Sequence, residues 1–429
     1  MIEFFVLFIF SITLITSVIL SYQLVYPLLF GLFLFFGYGI YKKHSFSSMC
    51  HYIFSGIITV KDILYIFILI GMITASWRSS GTIPFIVYHG TSLISPNLIV
   101  VASFLLCGLL STLIGTSFGT SATLGIICMA ISNSLGIPPY ISGGAILSGC
   151  YLGDRCSPMS TSALLVSNLT HTNIYENIKI MFKTSIVPFI LTTILFLLIG
   201  FLLNPNDLYL NTQNIFTQNF NLHIITVIPA LIIILLSCFK INIKTTMLSS
   251  ICAAIIISIC LQKHSVSFTL ITLMKGFISS NTEIAPLLNG GGILSMVNVF
   301  LIVLLASTYG GIFEGTGFLE NIKMKILILS NKSTKFTTFL FTSILLSLVT
   351  CNQTLTIILT HQLCNNIEDD DLVTASYLEN TTVLISPLIP WSIACAVPLS
   401  TIGAPTSSIF FALYLFLVPL YNLIISFSK

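Results

Sequence analysis

An acidic and a basic residue stand side by side in the stretch YLGDRCSPMSTSA, which covers residues 151–163. Asp154 and Arg155 are surrounded by apolar sequence, and a charge at the centre of a bilayer costs roughly 2.5–3.5 kcal/mol on insertion scales. A carboxylate at that depth can bind a proton and a metal cation in competition, whereas the structural alternative is an ion pair that fixes the chain. We favour the functional interpretation for Asp154.

Arg155 has two interpretations. Its guanidinium could hold Asp154 in the ionised form, or it could bind an anionic substrate through two parallel hydrogen bonds. Consecutive residues of a helix point about 100° apart, so adjacency in the chain does not decide between the two. Both interpretations stay open on the sequence alone.

Oxygen-bearing side chains could complete a cation site around Asp154. Hard cations prefer oxygen ligands, and Ser157 and Thr161 follow Asp154 closely. Asn352 and Gln353 lie in a second polar interruption of apolar sequence, TCNQT. We predict that these four residues belong to the site, although hydrogen bonding between packed helices is the stronger interpretation for any one hydroxyl taken alone.

Three further charged residues are candidates. Glu379 is a second candidate for a titrating acid, and the alternative is a cap at a helix N-terminus, because carboxylates favour that end. Arg78 and Glu314 lie near the ends of predicted spanning helices, at comparable places in the two halves of the chain. Each is either a functional residue or a side chain that extends to the membrane interface.

The composition indicates an integral membrane protein. Of 429 residues, 55% are hydrophobic and 7% are charged, against about 25% charged in an ordinary soluble domain. So few charges cannot cover a soluble fold of this size. The net charge of +3 comes without a basic cluster, which argues against a nucleic-acid partner. Eleven cysteines without a C-x-x-C pair indicate neither a disulfide framework nor a zinc site.

Apolar runs of about 20 residues predict membrane-spanning helices. Shorter apolar pieces between them are interrupted by Gly, Pro, Ser and Thr, and non-helical backbone at that depth requires contact with protein or a water-filled cavity. We expect an all-α polytopic membrane protein of about 10–13 transmembrane segments with broken or re-entrant helices. The predicted spans are 2–21, 24–41, 62–76, 96–114, 179–203, 222–239, 245–262, 293–312, 336–350 and 406–427, and the broken pieces are 115–153, 351–366 and 381–403.

The two halves of the chain resemble each other. Three pairs of segments occur in the same order: 75–84 with 306–320, 115–124 with 350–359, and 151–162 with 377–392. Lysine-rich segments are expected in the cytoplasm, so the first pair crosses the membrane in opposite directions. This predicts two inverted repeats, typical of secondary transporters whose site lies at the repeat interface. The repeats are 1–205 and 222–429, and the extracytoplasmic linker is 206–221.

Five segments resemble the NhaC-type sodium/proton antiporters of the ion transporter superfamily: 71–90, 115–126, 153–163, 310–320 and 378–392. The resemblance implies a multi-pass protein of the bacterial cytoplasmic (inner) membrane that exchanges Na⁺ for H⁺ without a cofactor. A minority of relatives exchange carboxylates such as malate and lactate. Thr161, Asn352 and Asn380 stand where relatives have Asp, which leaves ion selectivity and stoichiometry open.

The expected function is therefore Na⁺/H⁺ exchange by alternating access, in which Asp154 releases H⁺ to one side and accepts Na⁺ from the other. The alternative is an ion-coupled exchanger of small carboxylates or amino acids, with Arg155 or Arg78 binding the carboxylate. An intramembrane enzyme is disfavoured because H-E-x-x-H and a second membrane aspartate are missing. The expected partners are the lipid bilayer, Na⁺, H⁺ and, in the alternative, a small organic anion; a homodimer is left open.

Overall fold

The computed structural model describes residues 2–20, 22–203, 216–239, 241–279, 285–318, 334–364 and 367–428. Several sequence predictions fall elsewhere in the chain. Most of the predicted linker, residues 206–215, lies outside the described residues. So do four of the lysines on which the predicted orientation rests, Lys240, Lys323, Lys325 and Lys332.

The first half of the chain is helical almost throughout. Its helices are α1 (Ile2–Ile19), α2 (Val25–Tyr41), α3 (Phe46–Thr59), α4 (Lys61–Ser79), α5 (Thr82–Leu93), α6 (Ile99–Ile114), α7 (Ser117–Thr120), α8 (Ile126–Ser134), α9 (Pro139–Cys156), α10 (Thr161–Leu169) and α11 (Ile174–Leu202). A π-helical turn, Ser121–Gly125, joins α7 to α8.

The second half follows the same pattern of long and interrupted helices. These are α12 (Ile228–Cys238), α13 (Ile243–Cys260), α14 (Val266–Lys275), α15 (Ala285–Leu288), α16 (Val297–Thr316), α17 (Lys335–Thr350), α18 (Gln353–Cys364), α19 (Asp371–Asn380), α20 (Thr382–Ile385), α21 (Ile393–Ile402) and α22 (Leu413–Ser428). Short 3₁₀ turns include Ser386–Leu388 and Thr406–Phe411.

Polar residues fix where many helices begin. The Ser45 hydroxyl accepts a hydrogen bond from Ser48 N at 3.1 Å, and the Thr334 hydroxyl accepts one from Thr337 N at 3.2 Å. The Asp370 carboxylate caps α19 by accepting from Leu372 N at 2.8 Å. Such caps satisfy backbone N–H groups that have no partner within the helix. In a chain with so few charged residues, these mostly uncharged caps mark helix starts.

The all-α membrane fold predicted from the sequence is confirmed. Within the described residues, five helices are long and apolar enough to cross a membrane, and a sixth span is formed if the bent pair Asp371–Leu388 and Ile393–Ile402, at 55° to each other, is counted as one. The five are Lys61–Ser79, Pro96–Ile114, Ile174–Leu202, Ile243–Cys260 and Ile293–Thr316, and six shorter apolar helices accompany them. Over the same residues the secondary structure includes no β-strand, only an isolated bridge between Phe277 and Gly290.

Among the boundaries that differ from the sequence prediction, two show the physical reason. α11 begins at Ile174, five residues before the predicted span, because the Asn173 side chain caps it by accepting from Tyr175 N at 2.9 Å. The predicted span 406–427 starts with a 3₁₀ turn, and α22 begins only at Leu413. Hydropathy leaves out the polar first turn of a helix such as α11. It also does not distinguish an apolar 3₁₀ turn from an α-helix.

Small residues let two pairs of helices approach closely. α9 packs along α6, and a Cβ atom on Gly149 would overlap the Phe104 carbonyl oxygen. α16 packs along α3, where a Cβ atom on Gly311 would overlap the Tyr52 carbonyl oxygen. Small residues at such seams are typical of helices that pack inside a membrane. The second seam joins a helix of the first half to one of the second.

The two halves are packed into one another. Phe10 and Phe35 of α1 and α2 form edge-to-face contacts with Tyr309 of α16, with ring centroids 5.3 Å and 5.1 Å away. Interrupted helices also recur in the same order in 1–205 and 222–429. The inverted relation between these halves stays a prediction.

The α6–α9 seam gives a stability prediction. Gly149→Ala is expected to lower the unfolding temperature of the purified protein in detergent, because overpacking against backbone typically costs about 1–3 kcal/mol. Gly37→Ala in α2 is the matched control, because beyond its own stretch of helix backbone nothing lies within 4 Å of its Cβ position. Differential scanning fluorimetry measures both variants. An unchanged transition for Gly149→Ala would contradict the close approach of the two helices.

Candidate functional site

Four interruptions of helices meet around one small cavity. They lie at residues 115–116, 157–160, 351–352 and 389–392. Two of them turn through the left-handed region of backbone space, at Gly115 (φ 77°) and Cys351 (φ 56°). Ile393 N donates a hydrogen bond to the Cys351 carbonyl oxygen at 2.9 Å, which ties two interruptions together. A Cβ atom on Gly115 would lie 2.6 Å from the Met159 carbonyl carbon, so the interruptions at 115–116 and 157–160 are also in contact.

The cavity has a volume of about 80 Å³ and a polar lining that includes one carboxylate. Asp154 supplies the carboxylate, and hydroxyl or amide groups come from Thr161, Asn352, Gln353 and three residues that the sequence analysis did not select. Those three are Thr116, Ser117 and Thr354, and the remaining lining is Ile63, Phe118, Ile393 and Ala394. Thr116 and Ser117 could have been selected from the sequence, because they follow Gly115 in the interruption that precedes α7.

Among the described residues, hydroxyl groups and no basic side chain hold the Asp154 carboxylate. Ser160 donates to Oδ1 at 3.2 Å and Ser162 donates to Oδ2 at 3.2 Å. Asp154 is 4% exposed, and across the described part of the chain the ion pairs do not include it. The N-termini of α10, α18 and α21 also reach the cavity, since their first residues line it. Helix N-termini favour a nearby negative charge, which offsets part of the cost of burying the carboxylate.

Arg155 points away from this cavity into a separate polar cluster. Its guanidinium donates to the Tyr414 hydroxyl, the Met181 carbonyl oxygen and the Thr184 hydroxyl, each at 3.2 Å. It also donates to Asn380 Oδ1. These contacts join α9 to α11, α19 and α22. The first interpretation of Arg155, an ion pair with Asp154, is therefore wrong, and the guanidinium serves to connect helices.

Glu379 is buried near Arg155 and does not line the Asp154 cavity. It precedes Thr381, whose backbone (φ −118°, ψ −77°) interrupts the chain between α19 and α20. Both carboxylate oxygens lack a hydrogen-bond partner among the described residues. The carboxylate interacts electrostatically with Arg155 and with Asp154. Glu379 therefore lies outside the cavity that Asp154 lines.

The remaining predicted ligands differ in how free their oxygens are. Gln353 Nε2 donates to the Val383 carbonyl oxygen at 3.0 Å, which leaves Oε1 available to the cavity. Asn352 Oδ1 accepts from Thr354 N at 2.9 Å, so this amide oxygen already caps α18. The Ser157 hydroxyl accepts from Met159 N at 3.2 Å and is not part of the cavity lining.

Two larger cavities contain the other charged candidates. Glu314 lines a cavity of about 250 Å³ whose lining also includes Asn352 and Thr354, both shared with the Asp154 cavity. Arg78 lines a polar cavity of about 460 Å³ that has no lining residue in common with either. The structure thus places Glu314 next to the carboxylate site and Arg78 apart from it.

Comparison with known proteins gives concordant matches over nearly the whole chain. The sequence model described as the Na⁺/H⁺ antiporter family matches residues 1–165 and 149–429. The malate-2H⁺/Na⁺-lactate antiporter of Bacillus subtilis is 30% identical over 82% of this chain and 78% of its own length. The Na⁺/H⁺ antiporter NhaC of Alkalihalophilus pseudofirmus is 28% identical over 93% and 88%, and the arginine/ornithine antiporter ArcD of Halobacterium salinarum is 27% identical over 87% and 79%.

The Arg155 cluster gives a second stability prediction. Arg155→Lys is expected to lower the unfolding temperature, because one ammonium group cannot reproduce the fork of donors that reaches three helices. Lys335→Gln is the control. It removes a partly exposed ion pair with Glu368 at 3.2 Å, and pairs at the surface are worth about 0–1 kcal/mol. Equal unfolding temperatures for Arg155→Lys and the wild type would show that the cluster does not hold these helices together.

Proposed function

Because the chain belongs to the Na⁺/H⁺ antiporter family, we propose that it exchanges Na⁺ for H⁺ across the bacterial cytoplasmic membrane at the Asp154 carboxylate. The protein is a multi-pass membrane protein, and its relatives are transporters. Exchange requires a site that the two ions occupy in turn. A single carboxylate serves this purpose, because protonation removes the charge that attracts Na⁺.

One observation carries the proposal: Asp154 faces a polar cavity and has no basic partner among the residues that the structure describes. An arginine or lysine beside the carboxylate would form a permanent ion pair and neutralise its negative charge. Instead, the neighbouring groups are oxygens of Thr161, Gln353 and Ser117, which suit a hard cation. We propose that these oxygens complete the shell of a bound Na⁺, and that Asn352 contributes through its position at the start of α18.

The route to this site is proposed to run past Glu314. Its cavity adjoins that of Asp154 through Asn352 and Thr354, and a carboxylate at a vestibule raises the local concentration of cations. The lysine-rich segment 321–335 follows Glu314 in the sequence, so we assign this vestibule to the cytoplasmic side. The opposite side would open when the halves 1–205 and 222–429 move against each other.

An organic acid is the alternative cargo, because a relative is named for malate and lactate exchange. Arg155 is a poor candidate for binding its carboxylate. Four hydrogen bonds within the protein already engage the terminal nitrogens of this guanidinium, and the residue is fully buried. The cation exchanger is therefore the function that the site supports best.

The central prediction concerns the carboxylate itself. In vesicles containing the purified protein and an internal pH dye, a Na⁺ pulse is expected to drive proton movement, and Asp154→Asn is expected to reduce it to the level of empty vesicles. The amide keeps the size of the side chain and cannot exchange a proton. Asp62→Asn is the matched control, since Asp62 is exposed and pairs with Lys244 at 2.6 Å. Sodium-driven proton movement that survives in Asp154→Asn would refute the proposal.

A second variant pair tests the ligand shell. Gln353→Ala is expected to raise the Na⁺ concentration for half-maximal exchange several-fold, because it removes a free amide oxygen from the cavity. Ser157→Ala removes an oxygen outside the lining and is expected to leave this concentration near the wild-type value. The same vesicle assay, run over a series of Na⁺ concentrations, measures both. Equal values for the two variants would exclude Gln353 as a ligand.

A further inference from the structure

An apolar groove lies between α6 and α11 on the outer surface of the protein. Its volume is about 690 Å³, within the range of about 300–1,000 Å³ that is usual for small-molecule sites. Cys156 of α9 and Tyr414 of α22 form its buried base. The exposed walls of this α6–α11 groove include Leu109, Leu113, Phe182 and Ile186.

The two helices touch beyond one end of the groove. A Cβ atom on Gly200 of α11 would overlap the carbonyl oxygen of Asn97, which lies just before α6. Further along, the Phe104 ring lies 5.4 Å from the Phe196 ring and 5.7 Å from the Phe189 ring. Because the helices run in opposite directions, the groove opens toward the last turns of α6 and the early turns of α11. It is therefore a wedge that is closed at one end.

The lining of the α6–α11 groove contains one charged side chain, Lys183, among the described residues. The hydroxyl groups of the lining already have partners in the protein. Thr112 and Ser185 donate to carbonyl oxygens of their own helices at 2.8 Å and 2.7 Å. The Tyr414 hydroxyl accepts from Arg155 at 3.2 Å. A ligand that fits the groove is therefore apolar along its length and carries its charge at one end.

Lys183 marks the level of the lipid head groups. Residues 184–202 of α11 contain no charged residue, so this helix enters the apolar part of the membrane directly after Lys183. Lys179 lies one turn earlier on the same face of the helix, and both lysines are exposed. The ion pairs of the described chain include neither lysine, and Glu176, the acid nearest to them along α11, does not line the groove. The open end thus carries positive charge that is available to a ligand.

We propose that the α6–α11 groove binds a phospholipid with an anionic head group, with one acyl chain in the wedge and the phosphate at Lys183 and Lys179. Such a lipid joins a long apolar chain to a negative charge at one end, and lysines near a membrane surface attract anionic lipids. The base of the groove contacts Arg155, because its guanidinium donates to Cys156 Sγ at 3.7 Å as well as to Tyr414. The bound chain would therefore also support the cluster that fixes the end of α9. The inference goes beyond cation exchange and does not rest on it.

Fluorescence quenching by brominated phosphatidylglycerol tests which lipid occupies the groove. The full-length protein is placed in phosphatidylcholine vesicles that contain a small share of phosphatidylglycerol with brominated acyl chains. Leu109→Trp puts a reporter in the groove, and Phe33→Trp in α2 is the matched reporter elsewhere, since the two native side chains are 65% and 68% exposed. Quenching of the wild type, whose Trp77 and Trp391 are buried, is subtracted. Phosphatidylglycerol is expected to be enriched at least about fivefold at Leu109→Trp, the factor that one lysine near an anionic lipid supplies, and to follow its bulk share at Phe33→Trp.

Charge variants in the Leu109→Trp background test the role of the lysine. Lys183→Gln should remove most of the enrichment, whereas Lys61→Gln, which changes an exposed lysine outside the groove, should leave it unchanged. Asp154→Asn should also leave it unchanged, so this proposal and the proposed exchange fail separately. The proposal is overturned if Leu109→Trp and Phe33→Trp are quenched alike, if Lys183→Gln keeps the enrichment, or if brominated phosphatidylcholine is enriched as strongly. It is also overturned if no lipid quenches Leu109→Trp, which would assign the groove to a second copy of this chain.

Discussion

Backbone polar groups that leave a helix at membrane depth must find partners inside the protein, because the bilayer supplies none. This constraint brings the four interruptions together. Trp391 Nε1 donates to the Leu348 carbonyl oxygen at 2.9 Å, and the Tyr151 hydroxyl donates to the Ala394 carbonyl oxygen at 2.6 Å. Contacts of this kind join segments that are far apart in the chain. The polar cavity is therefore a consequence of how the broken helices satisfy one another.

The same constraint separates two neighbouring charges. Asp154 and Arg155 follow each other in the last turn of α9, yet one faces the cavity and the other enters the cluster formed by Thr184, Asn380 and Tyr414. Arg155 thereby fixes the end of the helix that presents the carboxylate. Because the guanidinium is engaged elsewhere, Arg155 does not pair with the Asp154 carboxylate. The two charges thus persist in apolar sequence for two reasons, one structural and one proposed to be functional.

Much of this arrangement could be predicted from the sequence. Long apolar runs predicted the spanning helices. Gly115 and Thr116 marked the first interruption and the amides Asn352 and Gln353 marked another, since glycine adds backbone freedom and polar side chains interrupt the apolar run. The direction of Arg155 could not be predicted, because its partners come from three distant helices. It also could not be predicted that the Asn352 amide oxygen caps α18, because this depends on where α18 begins. Contacts between residues that are distant in the chain decide such details, and the spacing of residue types in one sequence does not predict those contacts.

The most direct test of the account is equilibrium binding of ²²Na⁺ to the purified protein in detergent at a series of pH values. If Na⁺ and H⁺ compete for the Asp154 carboxylate, the apparent Na⁺ affinity will fall as the pH is lowered, by up to about tenfold per pH unit for one competing proton. Asp154→Asn will then bind little Na⁺ at any pH. Sodium binding that does not change with pH, or that persists in Asp154→Asn, would contradict a shared carboxylate site.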